Sequence, residues 1–346
     1  MKKFSRCLIA LSFYFVLNSS IFANRWTPEM MIQYQRLSST AISEDGKFIA
    51  YEISTPILES EKSEFHSQIW LLSTYDESRF QLTQGKTSSS QPKFSPDNKW
   101  LGFLSARGEK KTRQLFIISV SGGESIQITD VASSVNRFDW SPDAMKIAFT
   151  MADPETDDDK KRKKEKRDWT IVDEDYKYNH LYVVNIEDIK KPRQLTKGDL
   201  NVGSFDWSPD GAKIVYDHTE IPTANSSSTS NISIVGLASG SSRVIVDWGG
   251  FDASPKFSND GKRIAFVSDG DNPSWGREHY VYTASSSGVR KKKLQPTPSR
   301  YVNAIEGWSP DDSYIIVQEA NKTSRRYFYV PSSVGGSVSG ITIGPG

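Results

Sequence analysis

Short stretches of alternating polar and apolar residues recur along the chain, and each is followed by a turn and a second apolar stretch. Residues 204–207 (Ser-Phe-Asp-Trp) alternate with a period of two, which indicates a half-buried strand. Residues 208–211 (Ser-Pro-Asp-Gly) predict a tight turn, because Pro presets φ, Asp bonds back to the backbone and Gly tolerates a positive φ. Residues 214–216 (Ile-Val-Tyr) predict a buried second strand. The unit is therefore a β-hairpin with a Ser-x-Asp turn.

The same strand–turn–strand pattern occurs repeatedly, at intervals of about 50 residues. The interval between Ser141 and Ser208 is the longest. Apolar stretches such as 68–72 and 115–118 predict a third strand in each unit, and segments such as 127–129 (Gln-Ile-Thr) end a fourth. A repeat of this length with four short strands is typical of a propeller. The sequence predicts an all-β fold, a β-propeller of four-stranded blades with at least six repeats. The copies are residues 42–46, 94–98, 140–144, 207–211, 257–261 and 308–312.

An aromatic residue precedes most of the turns, and each turn contains an Asp. Residues such as Trp140, Trp207 and Trp308 raise the possibility of an aromatic ligand site, but one aromatic per blade is also what packing between blades requires. A repeated Asp raises the possibility of a metal site, but calcium loops carry acidic residues more densely. We interpret the aromatics as inter-blade packing and the aspartates as structural turn residues, and we predict no metal site.

The start of the chain predicts a secretory signal peptide, residues 1–23, and residues 24–346 predict the propeller. Positive residues before position 8 precede an apolar core at 8–17 that is too short to span a bilayer. Cleavage is expected after Ala23, and an uncleaved anchor is the alternative. These features predict an exported, periplasmic protein with no membrane span after signal cleavage.

The end of the chain and its cysteine content add two expectations. The only cysteine, Cys7, lies in the leader, so the mature chain is expected to have no disulfide bond. After strands predicted at 314–317 and 327–330 comes a last apolar segment, 341–343, and then Gly346. Because open discs expose sheet edges, propellers close one blade with strands from both termini. We expect the propeller to be incomplete at the C-terminus and the polypeptide to be truncated.

Charge argues against nucleic acid as a partner, since the formal net charge is +1 with 25% charged residues. The longest interval contains a rim insertion at about 152–178, in which an acidic block, 153–159, precedes a basic run, 160–167. Opposite blocks of this kind are typical of a solvated loop or helix. The alternative is a lid or contact arm whose Trp169 and neighbouring tyrosines meet a partner domain or a substrate.

Patterns for common catalytic chemistry are absent from the sequence. There is no G-x-S-x-G nucleophile motif, and in the similar segment 336–340 the Ser lies one place too late. The four histidines have no zinc-site spacing, and His180, beside a strand start, is expected to be packed. There is no phosphate-binding glycine loop. Carboxylates such as Asp173 and Asp175 lie close in sequence, but the sequence does not place them across a cleft. We predict no catalytic residue, no metal and no cofactor.

Several segments carry a resemblance to known families. Residues 205–216 resemble the TolB-like propeller repeat. Residues 173–184 (Asp-Glu-Asp-Tyr-Lys-Tyr-Asn-His-Leu-Tyr-Val-Val), followed by 193–196 (Arg-Gln-Leu-Thr), resemble the N-terminal propeller of prolyl oligopeptidase-family serine peptidases. The dipeptidyl-peptidase and acylaminoacyl-peptidase group is the most similar branch. Residues 116–124 and the opening at 26–31 fit the same group.

The resemblance implies a partner domain and a function for the propeller. In that family the propeller caps an α/β-hydrolase domain, which supplies the catalytic Ser, Asp and His, and filters the peptides that reach them. No segment of this chain matches that domain, so no catalytic residue is carried over, and serine peptidase activity would require a hydrolase domain. The implied function is substrate gating in an exported peptidase, with a peptide or the hydrolase domain as partner. The residues expected to hold the amino end of the peptide are Asp173, Glu174, Asp175, Tyr176 and Tyr178.

Two other functions stay open from the sequence. One is a stand-alone TolB-like propeller that acts as a protein-binding scaffold for other proteins of the cell envelope. The other is a propeller enzyme that uses carboxylates on a face of the disc, although no spacing selects such a pair.

Overall fold

The computed structural model describes residues 27–59, 62–167, 174–270, 278–321 and 324–341. Within these residues the strands form six four-stranded antiparallel sheets. In every sheet the strands lie side by side in chain order. The predicted all-β propeller of four-stranded blades is therefore confirmed. The predicted signal peptide lies outside the described residues, and none of the helices within them has the length and apolar character needed to cross a membrane.

The blades follow one another along the chain, and we number them 1 to 6. Blade 1 contains β1 (Arg36–Ile42), β2 (Phe48–Glu59), β3 (Lys62–Ser73) and β4 (Arg79–Gln81). Blade 2 contains β5 (Ser89–Phe94), β6 (Trp100–Ser105), β7 (Gln114–Ser119) and β8 (Ile126–Gln127). Blade 3 contains β9 (Val135–Trp140), β10 (Lys146–Ala152), β11 (Asn179–Asn185) and β12 (Arg193–Gln194).

Blade 4 contains β13 (Asn201–Trp207), β14 (Lys213–Thr219), β15 (Asn231–Gly236) and β16 (Ser242–Val246). Blade 5 contains β17 (Asp252–Phe257), β18 (Arg263–Ser268), β19 (Tyr280–Ser285) and β20 (Lys292–Lys293). Blade 6 contains β21 (Val302–Trp308), β22 (Tyr314–Asn321), β23 (Ser324–Pro331) and β24 (Ser339–Ile341). The helical segments are α1 (Pro28–Gln33), α2 (Asp157–Lys164) and a 3₁₀ segment, Ala224–Thr229.

Each Ser-x-Asp turn joins the first and second strands of its blade through the same hydrogen bonds. In blade 4 the Ser208 hydroxyl donates to the Asp210 carboxylate at 2.6 Å, and the same carboxylate accepts from the Ala212 N–H at 3.0 Å. The Ser208 hydroxyl also accepts from the Lys213 N–H at 2.9 Å. These bonds lower the pKa of Asp210, the one from Ser208 most strongly. All six turns share this pattern, so the prediction of a structural role for the Asp is confirmed.

Aromatic residues before the turns pack between blades, as predicted. The indole N–H of Trp140 donates to the Lys93 carbonyl at 3.1 Å, and that of Trp308 donates to the Lys256 carbonyl at 3.1 Å. In both cases the acceptor lies in the preceding blade, and the indoles are buried. Ile42 takes this position in blade 1 and is 67% exposed.

The fourth residue of the turn has a left-handed backbone conformation in every blade. Its residue type is matched to the turn of the preceding blade. In blades 2 and 6 this residue is Asn98 or Asp312, and its side chain accepts from the N–H of Glu44 or Asn259 in the preceding turn, at 2.8 Å in each case. In blades 3, 4 and 5 the preceding turn has Pro in that place, which has no N–H to donate. There the fourth residue is Ala or Gly, whose side chain cannot accept a hydrogen bond. An acceptor side chain therefore occurs only where the preceding turn has an N–H to donate.

Candidate functional sites: the axial cavity and the rim arm

The first strands of all six blades surround one cavity of about 430 Å³. We call it the axial cavity. Its volume lies within the range of small-molecule and peptide-sized pockets. Every blade therefore contributes to a single concave site at the centre of the disc. One lining residue from each blade, in order, is Thr40, Lys93, Asp139, Phe205, Lys256 and Glu306.

Bulges shape the wall of the axial cavity. Every first strand shows an irregularity in its register with the second strand of its blade. Three lining residues, Ser39, Gln91 and Ser254, have a positive φ at these irregularities. A bulge bends its strand and redirects the side chains beside it. The central strands are thus bent away from regular pairing at the points where they face the cavity.

A buried carboxylate holds two of these bulges in place. Asp217 accepts from the N–H groups of Ser204 and Ser254, each at 2.9 Å, and from the Ser204 hydroxyl. Burial raises the pKa of Asp217, against the lowering effect of these hydrogen bonds. A Cβ on Gly203 would lie 2.0 Å from the Asp217 Oδ1 atom, so only glycine fits there. Asp217 thereby ties the first strands of blades 4 and 5 together behind the cavity.

Ion pairs between neighbouring blades line or support the wall. The Lys93 ammonium lies 3.2 Å from the Asp139 carboxylate and joins blades 2 and 3. The Lys256 ammonium lies 2.8 Å from the Asp206 carboxylate and joins blades 4 and 5. Burial alone would lower the pKa of Lys256, but the carboxylates of Asp206 and Asp139 outweigh it and raise the pKa. Each of these lysines therefore has a carboxylate partner in a neighbouring blade.

Arg137, in contrast, has a free guanidinium. It lines the axial cavity from blade 3 and is exposed. In the part of the chain that the structure describes, no hydrogen bond or ion pair engages its side chain. The other unbalanced charge of the wall is Glu306 in blade 6, whose carboxylate accepts from the Gln318 amide at 3.2 Å. The cavity thus carries one unpaired cation.

Sequence reasoning missed these charged residues. Lys93, Asp139, Asp206 and Lys256 all lie two positions before the turn Ser of their blades. Within a single strand, such a residue is indistinguishable from any solvent-facing polar residue of an alternating pattern. The signal that would have found them was the opposite charge at this one position in blades 2 and 3, and again in blades 4 and 5.

The second candidate site is the insertion between β10 and β11, residues 153–178, which we call the rim arm. Because successive strands of a blade are antiparallel, the arm lies on the face opposite to the Ser-x-Asp turns. Its helix α2 begins with a capping box, in which Thr156 and Asp159 bond reciprocally to each other's N–H. Acidic residues in the first turn and basic residues in the last complement the helix dipole. The charge blocks therefore form a short solvated helix.

Charges of the rim arm are largely paired with one another. The Arg162 guanidinium lies 2.6 Å from the carboxylates of both Asp159 and Asp175, and Lys177 lies 2.6 Å from Asp159. Hydrogen bonds from Lys177 and from Thr156 lower the pKa of Asp159 well below its usual range. Arg162, Asp159, Asp175 and Lys177 thus form one connected network of ion pairs.

Four of the five sequence-predicted peptide contacts lie at the end of this arm, namely Glu174, Asp175, Tyr176 and Tyr178. Asp173 lies outside the described residues, Glu174 is exposed, and Asp175 is paired with Arg162. The rings of Tyr176 and Tyr178 meet edge to face, with centroids 6.2 Å apart. Nothing brings these residues to the axial cavity lining. That they hold the amino end of a peptide stays a prediction.

His180 follows the arm and is packed, as predicted. It is buried, and its Nδ1 atom lies 3.3 Å from the Thr196 hydroxyl. Gln114 makes the corresponding bond to Thr129 in blade 2, and Gln68 bonds Thr83 in blade 1. Burial lowers the pKa of His180, against the opposing effect of Asp153. Within the ranges that the structure describes, no group of three His, Cys, Asp or Glu side chains could hold a metal ion.

Comparison with known proteins gives relatives and structural neighbours, although no family model matches the chain. It is 28% identical to "Dipeptidyl-peptidase 5" of Porphyromonas gingivalis over 84% of this chain and 45% of that protein. It is 29% identical to "Uncharacterized peptidase YuxL" of Bacillus subtilis over 55% of this chain and 31% of that protein. The chain thus spans less than half the length of these relatives.

A solved structure with the same fold is the acylaminoacyl peptidase of Pyrococcus horikoshii. The TM-score is 0.68 at 17% identity, and the match covers 92% of this chain and 48% of that one. Dipeptidyl peptidase 4 of Porphyromonas gingivalis matches with a TM-score of 0.56 at 15% identity, over 94% of this chain and 48% of that one. These findings confirm that the chain resembles the propeller portion of prolyl oligopeptidase-family peptidases, in the dipeptidyl-peptidase and acylaminoacyl-peptidase group.

Proposed function

We propose that this chain is the substrate-gating propeller portion of an exported serine peptidase of the prolyl oligopeptidase family. Relatives in which it matches only a part are named as peptidases. The observation that carries the proposal is the axial cavity, since all six blades converge on one peptide-sized space lined by charged side chains. A gate of this kind admits an extended peptide and excludes a folded protein. Export is part of the proposal because of the positive and apolar segments before residue 18.

Catalysis is not assigned to the chain itself. No nucleophile motif occurs in the sequence, and the cavity lining holds no histidine. The residues of the cavity therefore bind and orient a peptide, while hydrolysis belongs to a hydrolase domain. Glu174 and its neighbours in the rim arm are proposed as a second contact, for the amino end of the peptide.

The test compares an extended ligand with a folded one. The full chain is titrated with a fluorescent peptide of about ten residues, and separately with a small folded protein that carries the same sequence within its fold. Hydrolysis of aminoacyl nitroanilides is measured in parallel. We expect the peptide to bind, the folded protein not to bind, and no nitroanilide to be released.

Two results would overturn the proposal. Turnover that copurifies with the folded chain would make it an enzyme in its own right. Equal binding of the folded protein and the peptide would favour a scaffold for protein partners. As an independent check, the coding DNA is read past the codon for Gly346, where we expect a continuation or remnant that encodes G-x-S-x-G.

A further inference from the structure

We infer that the axial cavity selects peptides that present a carboxylate, and that Arg137 is the residue that binds it. This inference rests on the proposed function and names the substrate class of the same site. The argument starts from the charges of the wall. Lys93 and Lys256 are each balanced by a carboxylate of a neighbouring blade, whereas Arg137 is not.

The surroundings of Arg137 leave its charge unneutralised. The carboxylate behind this part of the wall is Asp217, which acts on Arg137 only at a distance and is already occupied by the N–H groups of Ser204 and Ser254. Burial also raises the pKa of Asp217, which weakens it as a counter-charge. Glu306 lies in blade 6, separated from blade 3 by two blades. Among the described residues, the Arg137 guanidinium is therefore the cation of the lining that has no carboxylate in ion-pair contact.

A guanidinium in this place suits a carboxylate in both charge and shape. Its N–H groups form a planar fork that binds two carboxylate oxygens at once. The hydroxyl of Thr40, also in the lining, provides a further donor for an extended ligand. A charged ligand inside a concave site is screened less by salt than one on the open surface.

Either of two carboxylates fits this chemistry: the C-terminal α-carboxylate of a short peptide or the side chain of Asp or Glu. The experiment measures Kd for the full chain with four peptides of equal length. One peptide is amidated and has no acidic residue, one has a free C-terminus, one is amidated with an internal Glu, and one has both features. The variants are Arg137→Gln, Arg137→Lys and, as a matched control on β23, the exposed Arg325→Gln.

We expect at least one of the single-carboxylate peptides to bind about tenfold more tightly than the neutral peptide, as for a charge-assisted hydrogen bond. Arg137→Gln should remove this preference, so that the ratio of the neutral peptide's Kd to the preferred peptide's Kd falls from about ten to about one. Arg137→Lys should keep part of the preference, and Arg325→Gln should change nothing. Which peptide gains the affinity identifies the carboxylate.

Equal Kd values for all four peptides, or a preference that survives Arg137→Gln, would overturn the inference while the gating function stands. Loss of neutral-peptide binding in Arg137→Gln would also overturn it, because Arg137 would then hold the cavity together rather than select charge. A wild-type chain that binds none of the four peptides would contradict the proposed function itself.

Discussion

The axial cavity and the rim arm are both rich in charge, but they use it in opposite ways. In the arm, Arg162, Asp159 and Asp175 satisfy one another on an exposed helix and its flank. In the cavity, Lys93 and Lys256 bridge neighbouring blades, and Arg137 has no hydrogen-bond or ion-pair partner within the described part of the chain. A charge that is already neutralised stabilises local structure, whereas a charge without a partner is available to a ligand. The difference makes the cavity the stronger candidate for binding.

The largest expected effect comes from the bulge that shapes the cavity. Gly203→Ala would place a Cβ against the Asp217 carboxylate, displace it, and leave the N–H groups of Ser204 and Ser254 unpaired. We expect the free energy of unfolding to fall by about 4 kcal/mol, measured by urea denaturation. Gly307→Ala is the matched control, since a Cβ on Gly307 in the first strand of blade 6 meets nothing within 4 Å. Equal losses in the two variants would contradict the role of Asp217.

The next largest expected effect compares the stability contribution of an ion pair in the cavity wall with that of an ion pair in the rim arm. Lys256→Met leaves the Asp206 carboxylate without its partner in a buried place, and we expect a loss of about 3 kcal/mol in the free energy of unfolding. Arg162→Met in the arm should cost less, because its partners Asp158 and Asp175 are exposed to water and Asp159 keeps its ion pair with Lys177. Urea denaturation of both variants decides the order, and a larger loss for Arg162→Met would reverse the comparison.

Acidity should act with opposite signs on Asp252, a buried carboxyl group of blade 5, and on Asp159 of the rim arm. Burial raises the pKa of Asp252, at the start of β17, to about 7, and the neighbouring Asp269 adds to this, against Ser268, the Trp248 backbone and Lys291. Because the folded pKa exceeds the unfolded value of about 3.9, Asp252 stabilises the fold below that value, and this contribution is lost as pH rises to about 7. The arm's Asp159 has a lowered pKa, so its contribution is lost only as the solution becomes acidic.

Replacing Asp252 with Asn tests this direction of the pH dependence of stability. We expect Asp252→Asn to raise the free energy of unfolding by about 2 kcal/mol at pH 8 and to have little effect at pH 4. Urea denaturation across that range measures it, with the exposed Asp247→Asn as control. A pH-independent difference between wild type and Asp252→Asn would contradict a buried carboxyl that titrates near neutrality.

The smallest effect concerns the turns and leaves both charged regions untouched. Ala144 has a φ of 59° where blade 4 has Gly211. Gly211→Ala should destabilise the protein by about 1 kcal/mol, because an L-residue is strained in this conformation. Ala144→Gly should be neutral or slightly stabilising, since relief of strain is offset by the entropy of glycine in the unfolded chain. In thermal unfolding, Gly211→Ala should lower the melting temperature, whereas Ala144→Gly should raise it slightly or leave it unchanged.

The repeat made the blades predictable, because each Ser-x-Asp turn carries its own local hydrogen bonds and needs no distant partner. The packing of Trp140 and Trp308 followed from the same repeat. The axial cavity did not, since Lys93 and Asp139 meet only when blades 2 and 3 are placed side by side. Arg137 was harder still, because what marks it is the absence of a partner among the described residues, and only the folded structure shows that.

The most direct test of the account asks where a peptide lies when it is bound. In a Cys7→Ser background, one cysteine is placed in the cavity wall (Thr40→Cys) and another, separately, in the rim arm (Glu174→Cys). Both positions are exposed in the free protein. Alkylation rates are then compared with and without a saturating peptide. The account predicts that the peptide slows alkylation severalfold at position 40, in the main site, and to a smaller extent at position 174, the proposed second contact for the amino end of the peptide. Protection at position 174 alone, or at neither position, would contradict it.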